Sequence, residues 1–443
     1  MKLINILGIK LNVFTKKEAL TEIEKLLVDK EQHFLVTPNP EMILQAIGHD
    51  EEFFYILNKA DLSFPDGFGL KIAAWFMGKN LSRITGADIV KDILKLAEKQ
   101  DKKVAIFNWK GGLSSAQDIT VALAKQYPKL KLIIQDIDKF KYNPAAPLVR
   151  GETQNSPNPF YQGEITQFQS EIIFCTLGSP YQEKFIFHNL KNLPSVKIGI
   201  GVGGAFDFLT GKIKRAPKLF RVIGLEWLWR LLALLLKYIF QANKAEYFIR
   251  RRIKRIYNAV VIFPIKFFLW RFILPFFYRS NVVCLLFKKE LVNDAEKIKY
   301  KILIIERADE KNHWQLPQGG TDGENLLVAG RRELNEEINN NKFQSIAIFS
   351  KLYIYKFNKE IFKFGALAKD VWGYQGQKQG LFIAEFLGQD KDIKINFWEH
   401  SAWRWVDSTE LVDQVYQKRK QATKIFLDKF NSLPQIYKIH PVK

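Results

Sequence analysis

Cysteine is nearly absent: the 443 residues hold two, Cys175 and Cys284, each inside an apolar, strand-like run. Two such thiols make no disulfide framework, so a reduced compartment and buried thiols are expected. The amino terminus, Met1-Lys2-Leu3-Ile4-Asn5-Ile6, has neither a long apolar run nor a small-residue cleavage site, and secretion is not indicated. Acidic residues are in deficit, 46 against 67 Lys and Arg, for a net charge of +21. That excess calls for an anionic partner: lipid head groups, nucleotide phosphates or RNA. With 47% hydrophobic and 26% charged residues, the chain is globular. Its length suits two large units and a bridge.

A clean membrane-spanning run is also missing. The stretch Glu226–Arg279 is rich in Leu, Ile, Phe and Trp but is broken by Lys266 and Arg271, each costing about 2.5–3.5 kcal/mol near a bilayer centre. A single crossing would also put the two halves, both of which read as users of cytosolic nucleotides, on opposite sides. Two readings are left. One is an internal helix packed between domains. The other is an interfacial segment whose apolar groups enter the acyl boundary while Arg250, Arg251, Arg252, Lys254 and Arg255 meet an anionic membrane surface. The second is the expectation: a basic amphipathic helical bridge over residues 246–280, peripheral on the inner, cytoplasmic face of the cell membrane.

Residues 1–245 alternate short apolar runs with amphipathic ones, among them Lys16–Val28, His33–Thr37, Met42–Lys59, Asp61–Phe64, Lys103–Phe107, Lys131–Gln135, Glu171–Leu177 and Val196–Ile200. This predicts a mostly parallel sheet covered by helices, with ligands beyond the carboxyl ends of its strands. The turns fall there: Thr37-Pro38-Asn39-Pro40-Glu41, Pro65-Asp66-Gly67-Phe68-Gly69, Leu177–Lys184 and Gly201–Asp207. Asn39 before Pro40 also reads as a helix cap, and Pro-Asp-Gly as an ordinary turn. Together with Arg83-Ile84-Thr85-Gly86-Ala87-Asp88, Gly211–Pro217 and Gly224-Leu225-Glu226-Trp227, they resemble the WecG/TagA/CpsF glycosyltransferases. The resemblance implies a Rossmann-like domain that transfers a sugar such as N-acetylmannosamine from UDP to a polyprenyl-diphosphate-linked acceptor, with inversion and without a metal cofactor. It makes Asp66 the base that takes the acceptor proton. It places substrate-binding groups at Thr37, Asn39, Arg83, Gln182, Gly203, Gly204 and Arg215, and leaves arginines and backbone amides to neutralise the leaving diphosphate. A polar insertion between Lys141 and Gln167 departs from the family's pattern.

In residues 281–443, Trp314–Glu324 leads into a predicted helix, Asn325–Glu337, on which Glu333, Glu336 and Glu337 fall at i, i+3 and i+4 on one face. A solvated acidic face is one reading. However, Glu324, then Arg332-Glu333-Leu334, then Glu336-Glu337 is similar to the core of the Nudix box. Trp314–Gly320, Gly376-Gln377-Lys378-Gln379 and Trp403-Arg404-Trp405-Val406 extend the similarity toward the RppH-type and dinucleoside-polyphosphate hydrolase branch. The resemblance implies an α/β/α Nudix domain that hydrolyses a nucleoside diphosphate derivative or an RNA 5′ end. Mg²⁺, or Mn²⁺ in its place, would be held by Glu333, Glu336, Glu337 and Glu399. Glu336 and Glu337 are then catalytic, Arg332 steadies the carboxylates, and Gly320 and Glu324 are structural members of the box. The box's terminal glycine is Asn339 here, a residue that tolerates the left-handed conformation. The expectation is a bifunctional enzyme; the rival is a transferase whose Nudix domain senses a nucleotide without turnover. The sequence leaves the oligomeric state open.

Overall fold

The computed structural model describes residues 2–48, 50–138, 169–217, 219, 220, 224, 226, 228, 229, 253–292, 297–357, 361, 362, 366, 367 and 373–433. The described residues up to Leu269 form one compact unit and those from Trp270 onward a second; the division falls inside the expected bridge. The polar insertion, the apolar run at 230–236, and Arg250, Arg251 and Arg252 lie outside the described residues.

In the first unit, β3 (His33–Val36), β4 (Leu62–Ser63), β5 (Lys103–Trp109), β6 (Lys131–Ile137), β7 (Ile172–Cys175) and β8 (Ile198–Gly201) form a six-stranded sheet in the order β4-β3-β8-β7-β5-β6. Every pairing is parallel. Period-two geometry explains the composition. Val104, Ile106, Ile172, Phe174, Ile198 and Ile200 share a core with α1 (Lys16–Val28), α5 (Gly86–Lys99), α6 (Ala116–Gln126) and α8 (Ala205–Leu209). Their neighbours Ala105, Ile173 and Cys175 are equally buried. Gly199 takes α7 (Tyr181–Asn189) on this second face, where a Cβ would stand 2.6 Å from Ile186. Ahead of the sheet lies a hairpin of β1 (Leu3–Ile6) and β2 (Ile9–Asn12).

The single helix expected over Met42–Lys59 is two, α2 (Pro40–Ala46) and α3 (Glu51–Lys59). Asp50 breaks the run because its carboxylate accepts from Phe53 N and caps the second helix. Buried Lys184 on α7 then binds Asp50 at 2.7 Å and Glu52 at 2.8 Å, and His188 binds Glu52 at 2.7 Å. α4 (Phe68–Phe76) leaves Ile72, Trp75 and Phe76 exposed.

The second unit is built on a seven-stranded mixed sheet. β9 (Tyr278–Val292) pairs antiparallel with β10 (Lys297–Arg307) and parallel with β16 (Gly376–Phe386), which pairs antiparallel with β13 (Phe343–Lys356). β11 (Trp314–Gln315) and β17 (His400–Asp407) join β10, and β12 (Gln318–Gly320) joins β9. Two-residue strands β14 (Ile361–Phe362) and β15 (Ala366–Leu367) form a separate hairpin. Alternation along β9 supplies two cores. Val282, Cys284 and Leu286 pack with helix α9 (Leu326–Ile338), whereas Val283, Leu285 and Phe287 pack with α10 (Lys420–Asn431). The expected α/β/α sandwich is therefore present. Asn339 ends α9 at φ 49°, ψ 43°, the left-handed geometry expected of it.

The apolar helix Ile253–Phe276 is long and apolar enough to cross a membrane by length and composition, with mean hydropathy 1.8. Phe263 is buried beside Gly69. Ile253, Tyr257, Ile265, Phe268 and Leu269 remain exposed.

Two candidate active sites

The first site lies at the carboxyl ends of β3 and β4. Val36 and Ser63 are register partners, so Thr37 and Asp66 emerge from neighbouring strands. Asp66 N donates to Pro38 O at 2.8 Å, tying the two turns together. Gly67, at φ 127°, lets them close, since a Cβ would stand 2.7 Å from the Pro40 ring. The Asp66 carboxylate accepts from Gly86 N at 3.4 Å and has Arg83 Nε 3.9 Å away, with its side chain 29% exposed. Its side chain is thus partly accessible at the mouth of the two turns. Arg83 is oriented from behind, donating to Glu226 Oε2 at 2.6 Å. Glu226 is 5% exposed, and burial of an ion pair requires this geometry.

Thr37 is buried against Gly86. Asn39 Oδ1 accepts from Met42 N at 3.0 Å and caps α2. Arg215 donates to both Asp88 oxygens, at 2.7 and 2.8 Å, and to Thr85 Oγ1 at 3.2 Å, so it braces the turn that presents Gly86 to Asp66. Burial alone would raise the Asp88 carboxyl, but Arg215 and Thr85 hold it down at about 2. The glycine turns Gly178 and Gly203–Gly204 follow the adjacent strands β7 and β8. Gln182 joins them through Oε1, which accepts from Gly178 N at 3.2 Å and Gly203 N at 2.8 Å. Its Nε2 donates to Glu183 at 2.6 Å. The structure therefore uses Gln182 to shape the turns. Beside it, burial pushes the Glu183 carboxyl up to about 7. Glu226 and Asp88 stand inside sequence motifs that assign them no role of their own. The signal for Glu226 was available, because a carboxylate inside an apolar run needs a cation.

The second site forms where α9 crosses β12. Arg332 is its hub, donating to Glu324 at 2.8 Å, Glu333 at 2.7 Å, Glu336 at 3.1 Å and the Gly320 carbonyl at 2.8 Å. The expected Arg-carboxylate clamp is therefore present. Glu333 lies over Gly319, where a Cβ would fall 1.7 Å from its carboxylate. Burial, helped by Glu337 and Glu336 and opposed by Arg332, raises Glu333 to about 8. Glu336 is exposed, whereas Glu337 is buried, accepts from Gln318 N at 3.4 Å and makes a close contact with His400 Nε2. Ligand atoms of Glu337, Glu399 and His400 lie within 4.8 Å of one another. His400, the first residue of β17, adds an imidazole to the expected carboxylates; its place directly after Glu399 is the sequence signal for it. Carboxylates crowded in this way, beside a buried imidazole, suit a divalent cation.

Residues 4–238 match the glycosyl transferase WecG/TagA/CpsF family and residues 278–429 match the NUDIX domain. The N-acetylglucosaminyldiphosphoundecaprenol N-acetyl-beta-D-mannosaminyltransferase of Bacillus subtilis strain 168 is 30% identical over 212 residues, 47% of this chain and 75% of the relative. An RNA pyrophosphohydrolase of Wolbachia pipientis subsp. Culex pipiens strain wPip is 33% identical over 162 residues, 35% of this chain and 91% of the relative. Another, from Wolbachia sp. subsp. Drosophila simulans strain wRi, is 36% identical over 131 residues, 29% of this chain and 78% of the relative. With both sites built from these families' motif residues, the chain belongs to the WecG/TagA/CpsF glycosyltransferases over its first half and to the Nudix hydrolases over its second.

Proposed function

We propose that the chain carries two working sites: an inverting transfer of an N-acetylmannosamine-like sugar from UDP to a polyprenyl-diphosphate-linked acceptor, and hydrolysis of a nucleoside diphosphate derivative or RNA 5′ end. The observation that carries the transferase reading is the accessible Asp66 carboxylate beside Arg83. In the reaction the acceptor hydroxyl gives its proton to Asp66 and its oxygen bonds to the anomeric carbon, while the UDP oxygen leaves from the opposite face with the bonding pair. Arg83, its guanidinium fixed by Glu226, would supply positive charge to offset the leaving diphosphate.

In the hydrolase, Glu333, Glu336, Glu337 and Glu399, joined by His400, would hold Mg²⁺ or Mn²⁺. A bound cation would screen the substrate's diphosphate and make water a better nucleophile. Arg332 keeps three carboxylates together, and His400 orients Glu337. The apolar helix, whose exposed Phe and Ile side chains alternate with Lys254, Arg255 and Lys266, supports a peripheral position on an anionic membrane, where a lipid-linked acceptor would be met.

The test is a product assay with UDP-sugars and a lipid-diphosphate-GlcNAc acceptor, run alongside nucleotide hydrolysis with and without Mg²⁺. Asp66→Asn should lower transfer by at least about a hundredfold and leave hydrolysis intact, and Glu336→Gln should do the reverse. Loss of both activities from either change would end the two-site reading.

A further inference from the structure

Exposed apolar side chains on the first unit are not spread evenly. Val28 at the end of α1 and Val121 on α6 stand singly, as scattered surface residues commonly do. On α4 three come together. Ile72, Trp75 and Phe76 follow the i, i+3, i+4 spacing of one helix face. Trp75 is 71% and Phe76 53% exposed, and their rings meet edge to face at 5.1 Å. On the other side of the helix Leu70, Ala73 and Ala74 are buried. The helix is therefore apolar toward the core and again toward the outside, a pattern that a helix lying between core and water does not need.

The apolar helix Ile253–Phe276 meets α4 where it begins. The Phe263 ring stands 3.6 Å from the place a Cβ on Gly69 would take, and Phe263 and Phe267 are buried. Arg255 fastens the same helix to α2, donating to Glu41 Oε2 at 2.6 Å. Tyr257, Val261, Ile265 and Phe268 stay exposed. Two elements far apart in the chain thus touch, and each turns aromatic and aliphatic groups outward.

The charges around them have one sign. Neither Gly67–Ala87 nor Ile253–Phe276 contains Asp or Glu, whereas the first holds three Lys and Arg and the second four. Of these, Lys71, Lys79, Lys254 and Lys266 are exposed. A second copy of the chain on this face would set cation against cation. An anionic lipid surface complements it, with an acyl boundary for the rings and phosphates for the lysines. Tryptophan beside lysine suits that boundary.

We propose that the exposed face of α4 is a second membrane-docking surface, which engages an anionic phospholipid bilayer together with the apolar helix. This rests on the peripheral-membrane reading of that helix. Because α4 starts two residues after Asp66 and spans about 14 Å, docking holds the candidate base close to the lipid plane, where the diphosphate of a lipid-linked acceptor would be presented.

The experiment is sedimentation of the full-length chain with vesicles of phosphatidylcholine and phosphatidylglycerol, either plain or with dibrominated acyl chains that quench tryptophan on contact. Trp75→Ser with Phe76→Ser should lower partitioning about tenfold or more, whereas Val121→Ser should leave it unchanged, with thermal midpoints as in wild type. Trp75→Phe keeps the face apolar, so it should partition within about twofold of wild type and be quenched less by the brominated lipid. Unchanged partitioning of the double variant, or equal quenching of wild type and Trp75→Phe, overturns α4 as a docking element; a loss of partitioning in Ile265→Ser with Phe268→Ser would then leave the reading of the apolar helix in place. A double variant that partitions as wild type does but turns a dimer into a monomer also overturns the proposal, in favour of a second copy on this face. Absence of wild-type partitioning to these vesicles removes the membrane reading of the helix, and this inference with it.

Discussion

Two carboxyls of the first unit give its stability opposite slopes with pH. Glu183, raised to about 7 by burial, keeps a proton in the folded chain that the unfolded chain releases near 4.3. Stability therefore falls as pH rises from about 4 to 7, and the full cost is present above that window. Glu183→Gln should raise the thermal midpoint at pH 8, by the equivalent of about 1–3 kcal/mol, and have little effect at pH 4; an equal gain at both values would show that the carboxyl's charge is not responsible. Asp88, held at about 2 by Arg215 and Thr85 against the effect of burial, runs the other way. Its contribution is present above about 4 and is lost as pH falls toward 2. The motif residues Asp66, Arg83 and Glu333 could be read from the sequence because their chemistry depends on residue type and spacing. That Glu226 needs a cation and that His400 adjoins Glu399 is also legible, but their partners Arg83 and Glu337 are not, because each pair joins elements far apart in the chain.

At the scale of elements, the apolar helix Ile253–Phe276 makes a separate prediction. Phe263 fastens it beside Gly69, at the start of α4, while Ile265 and Phe268 stay exposed. Ile265→Ser with Phe268→Ser should weaken partitioning to vesicles containing phosphatidylglycerol about tenfold or more, from the apolar area lost, with midpoint temperature unchanged. Unchanged partitioning would return the helix to a packing role. The strong periodicities of the helices and of β3, β5, β7 and β8 made the parallel sheet legible, and Asn339 ended α9 in the conformation its residue type allows. The division at Asp50 was not legible in the same way. Residues 42–59 keep a helical pattern throughout, and it is a cap hydrogen bond, reinforced by Lys184 from α7, that sets the boundary. The β1–β2 hairpin is four residues per strand with a Leu7–Gly8 turn at positive φ, too short for alternation alone to declare it.

For the whole molecule, separate cores predict separate unfolding. The first unit has an apolar core on each face of its sheet, one of them shared with α1, α5, α6 and α8, and the second unit has its own pair on the two faces of the mixed sheet, so calorimetry should show two transitions. Phe382, fully buried where Gly330 of α9 presses on β16, belongs to one of them alone. Phe382→Ala should lower that transition by about 3–5 kcal/mol and leave the other in place; a shift in both would mean the halves unfold as one. The two thiols carry a further consequence. Cys175 and Cys284 are both fully buried, and burial pushes each thiol's ionisation well upward, which leaves them slow toward maleimides and thiosulfonates. The native chain is thus a silent background for labelling, and one cysteine placed at a time along 253–276 would carry a spin label whose accessibility to oxygen and to a nickel chelate reads immersion depth residue by residue.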